Sequence, residues 1–107
     1  MSVRVMVVGR LHRATDQGTF EAAIPAVSSS INGTAGYMTD ELLRDPADPA
    51  SYIMMSEWAS REDFLRWEQS FIHKQSTSPL RTYWRANGEF KIYEVCRAVE
   101  STQHTHE

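Results

Sequence analysis

At 107 residues and 41% hydrophobic content, the chain has room for one globular domain that buries roughly two thirds of its extended surface, and none for a second. Its net charge of −3 is dispersed, without the clustered Lys and Arg that a phosphate backbone requires, so nucleic acid is excluded as a partner. No apolar run approaches the ~20 residues of a membrane span and the N-terminus shows no signal-peptide core; the expectation is a cytoplasmic protein with no membrane partner.

Residues 4–12 alternate, with Val5, Val7, Gly9 and Leu11 on one side and Met6, Val8, Arg10 and His12 on the other, which predicts a strand. Both sides are apolar at its start, so both faces of the sheet should be covered. Thr15 or Asp16 can cap a helix whose Phe20, Ile24, Val27 and Ile31 trace one helical stripe. Pro25 inside it should bend or re-start the helix, and Asn32-Gly33 should end it. Residues 37–44 and 51–58 predict a hairpin around the turn Asp45-Pro46-Ala47-Asp48-Pro49. In its second strand Tyr52, Met54, Ser56 and Trp58 share one face, and Ile53, Met55 and Glu57 the other.

Ser60 followed by Asp63 marks the start of a second helix, expected to run to about Gln75 with Phe64, Leu65, Trp67, Phe71 and Ile72 on its core arc and Glu68 near the middle of that arc. A short turn over residues 80–84 and Gly88 precede a last strand at 90–97. In that strand the lone Cys96 reads as a buried thiol. The tail, residues 100–107, has nothing to bury and is expected to be disordered; its His104 and His106 lack the further ligands a metal site needs.

The order β-α-β-β-α-β predicts an α+β, ferredoxin-like domain over residues 1–99, a four-stranded antiparallel sheet carrying two helices on one face. The other face would be left bare. Because the strands are apolar on both faces, a second copy of the chain is expected to cover it, giving a homodimer.

The run from Ser51 through Trp58, Phe64 and Trp67, continued by Ser70, Phe71 and His73, resembles the antibiotic biosynthesis monooxygenase superfamily, and the likeness extends over about residues 3 to 97. The resemblance implies a dimeric αβ-barrel, and its members include cofactor-independent oxygenases of anthrones and quinols as well as haem-degrading enzymes. It implies a monooxygenase without metal, flavin or other cofactor, acting on a small aromatic substrate with O2. The anthrone-oxidising relatives hold substrate with an Asn on the first strand and another on the third, beside a Trp. Here the Trp is Trp58, while the two Asn positions fall at Gly9 and Met54.

Arg10, Trp58, His12 and Glu68 are therefore the candidate catalytic residues, with Arg10 as oxyanion stabiliser and His12 or Glu68 as base. Arg10 on a mostly apolar strand needs a partner, either a carboxylate such as Glu41 or an anionic substrate oxygen. Met38, Tyr52, Met54, Phe64, Trp67, Phe71 and His73 are the candidate substrate contacts. Two alternatives stand beside the oxygenase: a non-catalytic ligand-binding dimer, and a haem-binding or haem-degrading protein in which Trp67 and His73 would be the family's helix Trp and iron ligand. On an unbroken helix the six-residue interval rotates His73 by about 120° from Trp67 and points it to solvent.

Overall fold

The computed structural model describes residues 1–70, 73 and 77–101. In chain order it runs β1 (Val3–Leu11), a 3-10 turn, α1 (Gln17–Ile31), β2 (Tyr37–Asp45), β3 (Asp48–Trp58), α2 (Arg61–Glu68), a 3-10 turn at Ser78–Thr82, β4 (Trp84–Ala86) and β5 (Lys91–Glu94). The strands form one antiparallel sheet in the order β2-β3-β1-β4, with β5 also on β1. This is the expected α+β ferredoxin-like arrangement with five strands instead of four.

The extra strand comes from a split. β4 and β5 occupy the same edge of β1: Ala86 pairs with Gly9 and Lys91 with Met6, so the edge uses five steps where β1 uses three. The surplus is taken up around Gly88, whose φ of 85° suits a residue without a side chain. The last strand is shorter than residues 90–97 in consequence. Cys96 lies beyond its end and is exposed, which corrects its reading as a buried thiol.

α1 passes through Pro25 without re-starting, and Asn32 with Gly33 at φ 91° ends it as expected. Asp45 caps a turn tighter than the sequence suggested, its Oδ1 accepting from Ala47 N at 2.8 Å, so that only Pro46 and Ala47 separate the hairpin strands. Ser60 caps α2 with its hydroxyl accepting from Asp63 N at 3.1 Å, a contact worth about 1 kcal/mol.

The sheet's two faces differ in cover. Val3, Val5, Leu11, Ala50, Tyr52 and Trp58 point to the helices and are buried. They join two apolar clusters, one with Ile31 and Phe64, the other with Phe20 and Leu80, and Val27 of α1 packs against both. The opposite face carries Arg4, Val8, Arg10, Ile53 and Tyr93, all wholly or partly exposed.

Candidate functional site

A cavity of about 650 Å³ lies between the helix side of the sheet, α1, α2 and the segment from Leu80 to Phe90. Its wall is mostly apolar: Val5, Val7 and Met54 from the sheet, Ile24, Val27 and Ile31 from α1, and an aromatic run beside them. In that run Tyr37 packs edge-on against Trp58 at 5.5 Å, Trp58 lies 5.4 Å from Trp67, and Trp67 meets the His73 ring at 4.4 Å. Phe64 and Phe90 close the run from the side, 4.9 Å apart.

His73 belongs to this wall because α2 stops early. The helix ends at Glu68, not near Gln75, and Ser70 makes the hydrogen bonds that follow its end. Its Oγ donates to Trp67 O at 2.6 Å and its backbone N donates to the same oxygen at 3.0 Å, a tight turn in place of the α-helical bond pattern. The same Oγ accepts from His73 N at 3.2 Å, and His73 and Thr77 are helical again. This local cap resets the helical phase. The expectation that His73 points to solvent, away from Trp67, is therefore overturned: the imidazole stands against the Trp67 indole on the cavity wall.

Of the expected site residues, the cavity gathers Trp58, His12, Glu68, Met54, Phe64, Trp67 and His73. It does not gather Arg10, Tyr52 or Met38. Arg10 alternates with the buried Gly9 and Leu11 and so emerges on the far face of the sheet. There it pairs with Asp48 at 2.5 Å, which is neither Glu41 nor a substrate oxygen. Tyr52 is buried in the second cluster, its hydroxyl donating to Glu21 Oε2 at 2.5 Å, and Met38 is exposed at a bulge in β2. Phe71 lies outside the described residues, as do His104 and His106. Trp58 is buried completely and its indole N–H is committed to Ser56 Oγ at 2.9 Å, so it supplies an aromatic wall and not a free donor. His12 sits at the mouth, its Nε2 3.1 Å from Arg81 O.

Two features were missed in the sequence. The first is Trp84. Its ring lies over Gly9 so closely that a Cβ there would overlap the indole and the Arg85 carbonyl, and it stacks on Phe20 at 6.1 Å. The indole N–H groups of Trp84 and Trp67 are both buried without a partner among the described residues, and both side chains line the cavity. The second is a polar cluster on the wall. Asp40 accepts from Ser28 Oγ at 3.0 Å and from the Tyr37 hydroxyl. Burial first, and then Asp40, push the Tyr37 phenol up to about 12.

His73 is one imidazole with its ring against Trp67, and the position over Gly9 is filled by an indole. One imidazole on the wall would suffice to hold a haem iron from one side, while the indole over Gly9 takes up space beside β1. Among the described residues no three His, Cys, Asp or Glu side chains come together to hold a metal, and no helix is long and apolar enough to cross a membrane.

Comparison with known proteins agrees with this fold. Protein SchA of Streptomyces halstedii is 27% identical over 95 residues, covering 89% of this chain and 24% of that protein. The 42.8 kDa protein in the whiE locus of Streptomyces coelicolor is 28% identical over 98 residues, covering 92% and 24%. The chain thus spans about a quarter of the length of these curated relatives. Among solved structures, SnoaB, a cofactor-independent oxygenase from Streptomyces nogalater, superposes with a TM-score of 0.77 at 17% identity, covering 94% of this chain and 98% of that one. A conserved protein from Methanosarcina mazei gives 0.71 at 15% identity, covering 87% and 91%. At such identities the likeness carries the fold. The family model for antibiotic biosynthesis monooxygenase matches residues 3–77, from β1 through α2 and past Ser70, and the chain belongs to that family.

Proposed function

We propose that the protein is a cofactor-independent monooxygenase that oxidises an electron-rich fused aromatic, of the anthrone or quinol kind, with O2 inside the aromatic cavity, and that it works as a homodimer. The observation that carries the reading is the pair of side chains Trp67 and Trp84 on the cavity wall, whose unpartnered indole N–H groups are closed to water and meet a ligand oxygen once the rings shift. A buried donor left unmet costs about 1–3 kcal/mol, which a ligand carbonyl or oxyanion recovers. The fold shared with a cofactor-independent oxygenase supports the same chemistry.

For an anthrone the reaction balances as one ring methylene and one O2 giving one ketone and one water. A base removes one C–H proton and leaves an enolate whose oxygen the indole donors stabilise away from bulk water. One electron passes to O2, the resulting superoxide joins the carbon radical, and protonation gives a hydroperoxide. Loss of the second C–H proton with cleavage of the O–O bond releases water and leaves the ketone. His12 and Glu68, both on the wall, are the bases on offer, and Trp67 with Phe90 holds the ring system, backed by the buried Trp58 and Phe64.

Dimer formation is supported by the exposed apolar residues Val8, Leu43 and Tyr93 on the sheet's far face.

Oxygen consumption by metal-free protein with an anthrone and quinol panel tests the proposal, with one O2 taken up per ketone formed. Trp84→Phe keeps an aromatic ring of smaller size and removes the donor, and should lower kcat/KM about tenfold, or ~1.4 kcal/mol of transition-state stabilisation. Absence of uptake above the spontaneous rate would overturn the oxygenase reading, and a Soret band on haem titration that His73→Ala abolishes would replace it.

A further inference from the structure

We infer that Asp40, held by Ser28 and Tyr37, is the cavity's acceptor for a hydroxyl group on the ligand, so that the site selects aromatic ligands that carry a hydroxyl. The inference rests on the cavity being the ligand site, as proposed above.

The case begins with a comparison inside the molecule. α1 is tied to the sheet by a carboxylate at two places, through Glu21 and, seven residues further along the same helix face, through Ser28. At the first tie Glu21 receives the Tyr52 hydroxyl at 2.5 Å and the Arg44 guanidinium at 2.8 Å, and the charge is matched. That tie lies away from the cavity. At the second tie Asp40 receives two neutral hydroxyls, and among the described residues no cation pairs with it. This tie lines the cavity. Asp40 is half-buried and rests on two neutral hydroxyls, in a stretch of wall shared with Val27, Ile31, Leu42 and Trp58, while the arginines of the same cavity, Arg81 and Arg85, form no ion pair with it.

The donor and acceptor inventory says what such a group is suited to meet. A carboxylate offers about four acceptor positions, of which Ser28 and Tyr37 use two. Both hydroxyl protons are committed to Asp40, so the cluster as a whole presents acceptors only. The Trp67 and Trp84 side chains line the same cavity, and their buried indole N–H groups, once the rings shift to open them, are donors only. A ligand that satisfies both brings an acceptor oxygen for the indoles and an O–H for Asp40. The bond to the carboxylate is charge-assisted and about twice as strong as a neutral one, which makes Asp40 a determinant of specificity.

The test measures binding of two ligands that are already fully oxidised, anthraquinone and 2-hydroxyanthraquinone, by quenching of tryptophan fluorescence in the intact protein. The wild type should bind the hydroxylated quinone at least tenfold more tightly. In Asp40→Asn that preference should fall below threefold, with anthraquinone itself bound as before. Asp40→Asn also weakens the tie to α1, so Ser28→Ala serves as the second variant: it loosens the same tie and keeps the carboxylate, and the preference should survive in it. Glu21→Gln should leave the preference unchanged. Equal binding of the two quinones by the wild type, a preference retained in Asp40→Asn, or one lost in Ser28→Ala would each overturn the inference. Because no turnover is involved, absence of oxygen uptake with the preference intact would sink the oxygenase reading alone.

Discussion

The two faces of the sheet are built from the same strands and nearly the same apolar residue types, yet they meet different fates. On the helix side Val3, Val5, Tyr52 and Trp58 are at most 2% exposed; on the other, Val8 is 42% and Tyr93 53% exposed. Alternation of apolar residues therefore states that both faces want cover, and does not state which cover the chain itself supplies. That depends on where the helices cross, and it decides which residues can reach a ligand.

The sharpest way to break the comparison is to change one apolar side chain on each face. Trp58→Ala deletes a completely buried indole that touches Tyr37, Phe64 and Trp67, and should cost about 3–5 kcal/mol in denaturant unfolding. Val8→Asp, on the far face, should leave the circular dichroism spectrum of the folded chain intact and shift sedimentation from dimer to monomer. A dimer that survives Val8→Asp unchanged would mean that this face is not what a second copy covers.

The element order was legible because each signal was local: the period-two runs of β1 and β3, the Ser60 cap, and the Asn32-Gly33 stop. What escaped the sequence was set by single atoms. Parity put Arg10 on the face opposite Gly9, but only the packing of α1 and α2 shows that the Gly9 face is the one with the cavity. Ser70 makes the hydrogen bonds that follow the end of α2, and His73 comes out re-phased; a Ser three residues before His73 carries the same capping signal as Ser60 and could have been read that way. Trp84 could have been sought from Gly9, a residue with no side chain in a strand of large ones, which often marks close approach by a neighbour. The Asp40 cluster joins β2 to α1 across the layer gap, and no spacing rule reaches that far.

A smaller effect sharpens the picture of the covered face. Tyr37 ionises near 12 instead of its ordinary 10.0, because burial and the neighbouring Asp40 both disfavour the phenolate. The folded protein thus keeps a proton between pH 10 and about 12 that the unfolded chain releases. The stability this contributes is fully present below pH 10 and is lost as pH rises through about 12. Urea unfolding of wild type and Tyr37→Phe across that window should show wild type losing about 2–3 kcal/mol relative to the variant as pH rises from 10 to beyond 12. A difference that stays constant with pH would show that the Tyr37 phenol is as open to water as one on the far face.

The smallest effect is expected at Arg10. Its guanidinium is half exposed and its partner Asp48 is 38% exposed, so the pair is accessible to water and screened by salt. The side chain also stands across the sheet from Trp58, Trp67 and Trp84, with the backbone of β1 in between. Arg10→Ala should accordingly leave the thermal midpoint almost where it was and change kcat/KM by less than roughly twofold, the size expected of a residue that does not meet the transition state. Trp84→Phe, on the cavity side of the same strand pair, is the contrast within one assay. If Arg10→Ala instead lowered turnover tenfold while the dimer stayed intact, the guanidinium would have to act on a cavity other than its own chain's. The far face would then be part of a shared site, and the contrast between a covered face and an exposed one would no longer separate the residues that reach a ligand from those that do not.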